Sequence, residues 1–320
     1  EPKSIPASEY SKLVADMRQS LSAVDYQSGY VNSILEIMES YTSFVPSSTN
    51  TKEIADISLF DHSKITACVG SCISEFLQAQ GIEDYKTALL TNEKQFLDKK
   101  AFLMLSFDLS GIQSFIYSID YEDALKSLRM RSFFLEILME HSIDTLLEKA
   151  GLSRVNLIYS GGGHCYILLP NTDEVKTTIK TVTSEINRWL MQQFEASLHL
   201  AVAYVECSGN DLMNHPAKDR PYANIFVSLS RQLNQVKMHK YSGDDIRLLN
   251  QPFPASSREC RICGKVSVLT DKNVCHWCDT FSSVSNTMFS NSVYVVTKTE
   301  VPGWNGFLLP GVPGHVYLYA

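Results

Sequence analysis

Residues 158–166 read Ile-Tyr-Ser-Gly-Gly-Gly-His-Cys-Tyr. Two runs of strand-forming residues meet at three consecutive glycines. A tight reversal needs backbone at positive φ, which glycine adopts at the least steric cost. The segment predicts an antiparallel hairpin with arms 156–160 and 164–170. Any fold for this chain must place both arms side by side in one sheet.

The flanking pattern predicts what joins them. Residues 101–108 are an apolar run of strand length, and 110–118 read as a turn or short helix. Residues 124–149 have helical spacing, with Phe134, Leu138, Leu146 and Leu147 among the apolar positions. A second helix is expected over 172–194, capped by Thr172 or Asp173, and a strand over 198–207. The order β-α-β-β-α-β is that of a ferredoxin-like sheet, so the fold class is read as α+β.

Residues 1–99 read as a helical N-terminal or linker region. Helices are expected over 10–21, 31–38 and 64–78, the last capped by Asp61, with a loop at 46–51. In the third helix Ile65, Cys68, Cys72, Phe76 and Leu77 fall near one face, and 87–100 is either a linker or a further helix. The sheet unit is placed at 100–250, with mixed helix and loop after 210. A cysteine module is placed at 251–285. Residues 286–320 are read as strands leading into a further domain. Their two strands, 292–299 and 314–319, flank a Pro/Gly loop and have too few neighbours for a complete sheet.

With 320 residues, 44% of them hydrophobic, the chain can bury a large core. Its net charge of −7 gives no global basic field for nucleic acid. No apolar run approaches the roughly 20 residues of a membrane span, and residues 1–4, Glu-Pro-Lys-Ser, hold no apolar signal core. Eight cysteines are too sparse for a disulfide scaffold of this length. Four of them sit in paired Cys-x-x-Cys spacing, which suits a reducing cytoplasm, the expected location.

The strongest chemical signal is Cys260-Arg-Ile-Cys263 followed by Cys275-His-Trp-Cys278. Two such knuckles supply four thiolates to tetrahedral zinc. The site is expected to be structural, replacing a core that so short a segment cannot build alone. His276 is a weaker ligand candidate, because four sulfurs already complete the shell. Cys68, Cys72, Cys165 and Cys207 read as packing residues. Asp61-His62 reads as a helix cap and its neighbour rather than a metal pair.

Residues 106–113, Ser-Phe-Asp-Leu-Ser-Gly-Ile-Gln, end the first strand. In palm-type nucleotidyl cyclases and polymerases, which this arrangement resembles, acids here and in the glycine hairpin hold two divalent ions. Asp108 keeps a carboxylate, but Ser110, Gly163 and His164 stand where others would be. Binding without catalysis is the reading favoured for this site. The backbone N–H groups of Gly111, Gly161, Gly162 and Gly163 are suited to approach phosphate or ribose. The plainer alternative is that Asp108 caps the next helix and the glycines only turn the chain. Lys126, Arg129 and Arg131 are candidate phosphate or RNA contacts, or else a solvated helix face.

Taken together, these motifs resemble the large polymerase-like subunit of type III CRISPR effector complexes, in its type III-A (Csm) branch. The resemblance is carried by 44–50 (Phe-Val-Pro-Ser-Ser-Thr-Asn), 53–58 (Glu-Ile-Ala-Asp-Ile-Ser), 106–113, 159–164 and the four cysteines. It covers nearly all of 1–285. It implies antiviral defence, a first palm that binds ATP, and a second palm with Gly-Gly-Asp-Asp that completes a cyclic oligoadenylate synthase. It also implies an HD nuclease for single-stranded DNA, Mg or Mn with the ATP, other Csm subunits, and guide and target RNA. Asp108, Ser110, Gly111, Gly161, Gly162, Gly163 and His164 are its candidate nucleotide contacts. No His-Asp motif precedes Asp61 and no Gly-Gly-Asp-Asp follows the cysteines. The expectation is therefore part of a longer subunit, with no competent catalytic site of its own. A non-catalytic scaffold for effector subunits and guide–target RNA is the second reading. A degenerate diguanylate-cyclase-like sensor is the third.

Overall fold

The structure is a computed structural model. It describes residues 6–27, 29–50, 54, 56–118, 124–288, 290, 293–304, 306–312 and 314–319. Residues 1–4, Glu53 and Ala55 of the 53–58 motif, and Ser292, each used above, lie outside them.

The chain opens with three helices, α1 (Ala7–Ser22), α2 (Tyr30–Thr42) and α3 (Leu59–Ala79). Ser58, not Asp61, caps α3: its hydroxyl accepts from the Asp61 N–H and donates to the Asp61 carboxylate. Both residue types cap helices, and the one three positions earlier leaves the other free to complete the turn. The short α4 (Glu93–Leu97) follows a five-residue π turn, where the sequence left linker or helix open.

Next come β1 (Phe102–Ser110), α5 (Ile112–Tyr117), α6 (Ala124–Lys149), β2 (Leu157–Gly161), β3 (His164–Pro170), α7 (Asp173–Phe194) and β4 (His199–Cys207). Thr172 caps α7 by accepting from the Val175 N–H. The strands form one antiparallel sheet in the order β2-β3-β1-β4. Two strands joined through helices are thus separated in space by a third, and the glycine hairpin brings that third strand between them.

Alternation along β1 divides its side chains between two cores. Leu103, Leu105, Phe107 and Leu109 face α6 and α7, where they meet Phe134, Leu138, Ile143, Ile179, Val182 and Ile186. Phe102 and Met104 face the other way, towards Cys68, Cys72 and Phe76 of α3. That second face is also covered by Ile225, Leu229 and Leu233 of α9 (Pro221–Met238). The one-turn α8 (Gly209–Leu212) precedes α9, and α10 (Gly243–Leu249) follows it. Cys68, Cys72, Cys165 and Cys207 are fully buried. Burial pushes the thiols of Cys165 and Cys207 up to about 12, so these two pack as small apolar groups and do not react.

The cysteine module contributes β5 (Arg258–Glu259), β6 (Val266–Ser267) and α11 (His276–Met288). Beyond it lie β7 (Val295–Thr297), β8 (Gly306–Pro310) and β9 (His315–Tyr319), a three-stranded sheet in the order β7-β9-β8. Here the structure corrects the sequence reading: β8 lies in what was taken for a Pro/Gly loop. Its glycine and proline sit at the strand's two ends, where neither interrupts the pairing. Phe307, Leu309 and Leu318 enter the same core as α6 and α7. An aromatic cluster of Phe115, Phe134, Phe194, Trp277, Phe281 and Phe307 joins α5, α6, α7, α11 and β8. No helix among the described residues is long and apolar enough to cross a membrane.

Candidate nucleotide rim and metal centre

The sheet face under α9 turns polar where α9 ends. Ser106, Asp108 and Ser110 share that face by alternation, and β3 sets His164 directly opposite Asp108. Lys237, in the last turn of α9, brings Nζ to 2.6 Å from Asp108 Oδ2. His164 Nδ1 lies 3.7 Å from the same oxygen, and its Nε2 is 3.3 Å from Ser106 Oγ. The His164 ring stands edge-on to Tyr166 at 4.7 Å, and Tyr166 in turn stands edge-on to Phe226 of α9. Asp108 and His164 are each 27% exposed, so solvent reaches the pair. The neighbouring His164 holds the Asp108 carboxyl below the usual range, against the opposing effect of burial, and the hydrogen-bonded Lys237 ammonium adds to it.

Ser110 pairs across the sheet with His199. Burial pushes the His199 imidazole down to about 4, and the nearby Lys240 adds to this, so it is neutral at pH 7. Tyr241 stands edge-on to it at 5.8 Å.

The glycine turn behaves differently. Gly162 and Gly163 have φ of 61° and 79°, and Gly163 accepts a bond from the Leu109 N–H at 2.8 Å. Gly111 has φ of 96°, and a Cβ there would sit 1.9 Å from the Ser197 carbonyl oxygen. Only glycine fits that corner. A cleft of about 280 Å³ opens beside Gly161, Gly162 and Gly163 on the α5 and α6 side of the sheet. Glu136 and Glu140 line it. Ser160 donates to Glu140 at 2.5 Å, and Arg154 bridges Glu140 and Asp144. The residues expected to form one site are therefore split. The glycines open onto an acidic cleft, while Asp108, Ser110 and His164 share the opposite face with a lysine. Ser110 does not line the cleft.

Of the three candidate cations, Lys126 and Arg129 lie on the exposed side of the start of α6. Arg131 does not: it is 3% exposed. Its Nη1 donates to the Phe115 carbonyl and to Ser118 Oγ, and its Nη2 lies 3.5 Å from Cys278 Sγ. The expectation that Arg131 meets phosphate or RNA is corrected. The apolar stripe of α6 continues through Met130 and Phe134 and carries the intervening turn inward with it.

Cys260, Cys263, Cys275 and Cys278 place their sulfurs within 4.8 Å of one another, and among the described residues they are the one His/Cys/Asp/Glu group that could hold a metal. Cys263 and Cys275 Sγ are 3.8 Å apart. Sulfurs at about 2.3 Å from a tetrahedral zinc lie roughly 3.8 Å from each other, so the spacing fits that ion. Cys275 N–H donates to Cys260 Sγ at 3.2 Å, and Cys278 sits in the first turn of α11, where the helix dipole favours a thiolate. Hydrogen bonds from Cys275 and Cys278 pull the Cys263 thiol far down, and the same contacts push Cys278 far up. Four thiols this close cannot all ionise unless a cation joins them. His276 is exposed and outside the group.

Sequence reasoning missed Lys237, His199 and Glu140. Lys237 lies 129 residues from the carboxylate it meets. Its one clue is the spacing from the apolar Leu229 and Leu233, which places it on the α9 face that turns towards the sheet.

Comparison with known proteins places these features. The family described as Csm1 subunit domain B matches residues 101–252. The Cas10/Csm1 single-strand-specific deoxyribonuclease (subtype III-A) of Mycobacterium tuberculosis is 41% identical over 297 residues, covering 88% of this chain and 37% of the relative. Its counterpart in Enterococcus italicus is 38% identical over 306 residues, covering 94% of this chain and 40% of the relative. The chain thus spans about two fifths of the curated relatives it matches. A Csm1–Csm4 cassette solved with pppApA is similar with a TM-score of 0.62 and 28% identity, over 74% of this chain and 31% of that one. A Csm1–Csm4 subcomplex of the type III-A interference complex aligns over 99% of this chain and 37% of that one, with a TM-score of 0.70; at 23% identity it speaks for the fold alone.

Proposed function

Because the chain belongs to the Cas10/Csm1 family of subtype III-A CRISPR systems, we propose that its four-stranded sheet is a ferredoxin-like palm that binds ATP. The strand order β2-β3-β1-β4 supports the palm reading. Structural relatives solved with pppApA, cA4 and AMPPNP support a nucleotide ligand.

One observation carries the assignment: Lys237 and His164 converge on Asp108 at the open end of the sheet. A triphosphate approaching this rim meets an ammonium held ready rather than a pair of bare carboxylates. Asp108 is already neutralised by that ammonium, so it is a poor sole ligand for a divalent ion. Mg or Mn then travels with the triphosphate and is held by acids from another part of the assembly. Ser110 extends the rim along β1, while the turn of Gly161, Gly162 and Gly163 offers a second approach from the acidic cleft on the other side of the sheet. The palm is half of a composite cyclic oligoadenylate synthase in the intact subunit, which is also a single-stranded DNA nuclease. The four cysteines hold a structural zinc.

The test is cyclic oligoadenylate synthesis by the intact subunit in its effector complex, carrying Lys237→Met, Ser110→Ala or an altered Gly161, Gly162 and Gly163 turn. We expect turnover to fall at least about tenfold, the loss of one charge-assisted contact. Undiminished synthesis in all of these rejects the rim.

A scaffold role is the second reading, favoured by the exposed Lys126 and Arg129 and by relatives solved as Csm1–Csm4 complexes. Charge reversal at those two positions would then weaken subunit or guide–target RNA binding and leave ATP affinity unchanged.

A further inference from the structure

Among the described residues Arg131 is a buried cation with no carboxylate partner. Its guanidinium lies 5.2 Å from the Phe115 ring centroid and 5.9 Å from that of Phe281. No Asp or Glu oxygen among the described residues comes within salt-bridge distance of it, although other buried or half-buried cations of the palm, such as Lys237 and Arg154, are paired. A guanidinium out of water needs a compensating negative group, because burying the charge alone forfeits its hydration. Among the described residues the anionic candidate within reach is Cys278 Sγ, 3.5 Å from Nη2.

Four thiolates around a divalent ion carry a net charge of −2, and this cluster is itself largely buried. Each side therefore lacks what the other supplies. The same guanidinium holds the carbonyl of Phe115 and the hydroxyl of Ser118, at the end of α5. That helix starts at Gly111, directly after β1.

We propose that Arg131 is the counter-charge of the four-thiolate metal centre and that, through it, metal occupancy fixes α5 against the palm. The inference rests on the metal reading above and is independent of the nucleotide reading. With the ion bound, Cys278 is an anion and the guanidinium spans it and α5. Without the ion, nothing holds the four sulfurs together, and the link that Arg131 makes from Cys278 to α5 loosens. Arg131 is thus a positioning residue. It touches neither nucleotide nor metal.

The experiment uses the zinc-loaded chain and a chromophoric chelator at neutral pH. Wild type should release one zinc slowly, and Arg131→Met about 10–100-fold faster, the range typical of lost outer-shell partners. Arg131→Lys, which keeps charge but not the fork, should fall between them. In the cobalt-substituted proteins, losing the N–H···S bond should move the thiolate-to-cobalt absorption to longer wavelength. A purely packing role would leave that band in place.

A second measurement needs no variant. Removing zinc from wild type should speed amide exchange across residues 112–118. Wild-type release and an unshifted cobalt band in a folded Arg131→Met protein would overturn the proposal. So would unchanged exchange in 112–118 after zinc removal. Failure of wild type to bind any metal would reject the metal reading itself, and this inference with it.

Discussion

The cysteine module and the rim of the four-stranded sheet are both clusters of groups that carry chemistry, yet they are built in opposite ways. The module draws its four sulfurs from 19 residues of chain, 260–278, and closes them within 4.8 Å of one another. Three of the four are buried. The rim takes Asp108 from β1, His164 from β3, His199 from β4 and Lys237 from α9, and leaves Asp108 and His164 partly open to solvent. A closed set of ligands satisfies one ion and holds structure together. An open set, with a cation waiting on a lone carboxylate, is arranged for something that arrives from outside.

The contrast makes distinct predictions for stability. The largest effect belongs to the closed site. Cys278→Ser or stripping the metal should cost on the order of 5 kcal/mol, since metal binding is folding energy for such modules. The check is a calorimetric midpoint with and without chelator, and an unchanged midpoint would break the comparison from the structural side. Next comes the corner between β1 and α5. Gly111→Ala forces a Cβ onto the Ser197 carbonyl oxygen at φ 96° and should cost about 3 kcal/mol or more. Gly162→Ala, in open space at φ 61°, should cost only about 1 kcal/mol. Urea titrations of the two variants measure the difference, and equal costs would mean that close packing does not single out Gly111.

A smaller effect is tied to pH. The folded His199 imidazole titrates at about 4, below its unfolded value near 6.5. Between those values the unfolded chain binds a proton that the folded chain does not, so stability falls as pH drops from 6.5 towards 4. Asp108 adds a loss lower still: its folded carboxyl lies below the unfolded value near 3.9, so its contribution is complete above that pH and fades as pH falls further. His199→Phe should remove about 1–2 kcal/mol of the decline between pH 6.5 and 5. Parallel slopes for variant and wild type would contradict this. The smallest stability effect is expected at the rim, where Lys237→Met should change unfolding free energy by less than about 1 kcal/mol, as for other partly exposed pairs.

What the sequence disclosed follows the same division. The four cysteines were legible because local spacing alone defines the site. The hairpin, the long α6 and the Thr172 cap were legible because period, glycine and capping chemistry act over a few residues. β8 was not, since its glycine and proline imitate a loop until β9 is known to pair beside it. Arg131 was misread as a surface cation because the twist of α6 into the core depends on the aromatic cluster of α5, α7 and α11. Lys237 was invisible for a related reason: its partner is chosen by where α9 crosses the sheet. Neither residue's role exists before the tertiary fold does.

The central claim is that the open rim receives a nucleoside triphosphate through Lys237. Isothermal titration of ATP with Mg into wild type and Lys237→Met tests it most directly, with circular dichroism of both proteins as the check that each is folded. Affinity should drop at least about tenfold in Lys237→Met, which loses an ammonium and bares the Asp108 carboxylate to the phosphates. Equal affinity in wild type and Lys237→Met would contradict the account.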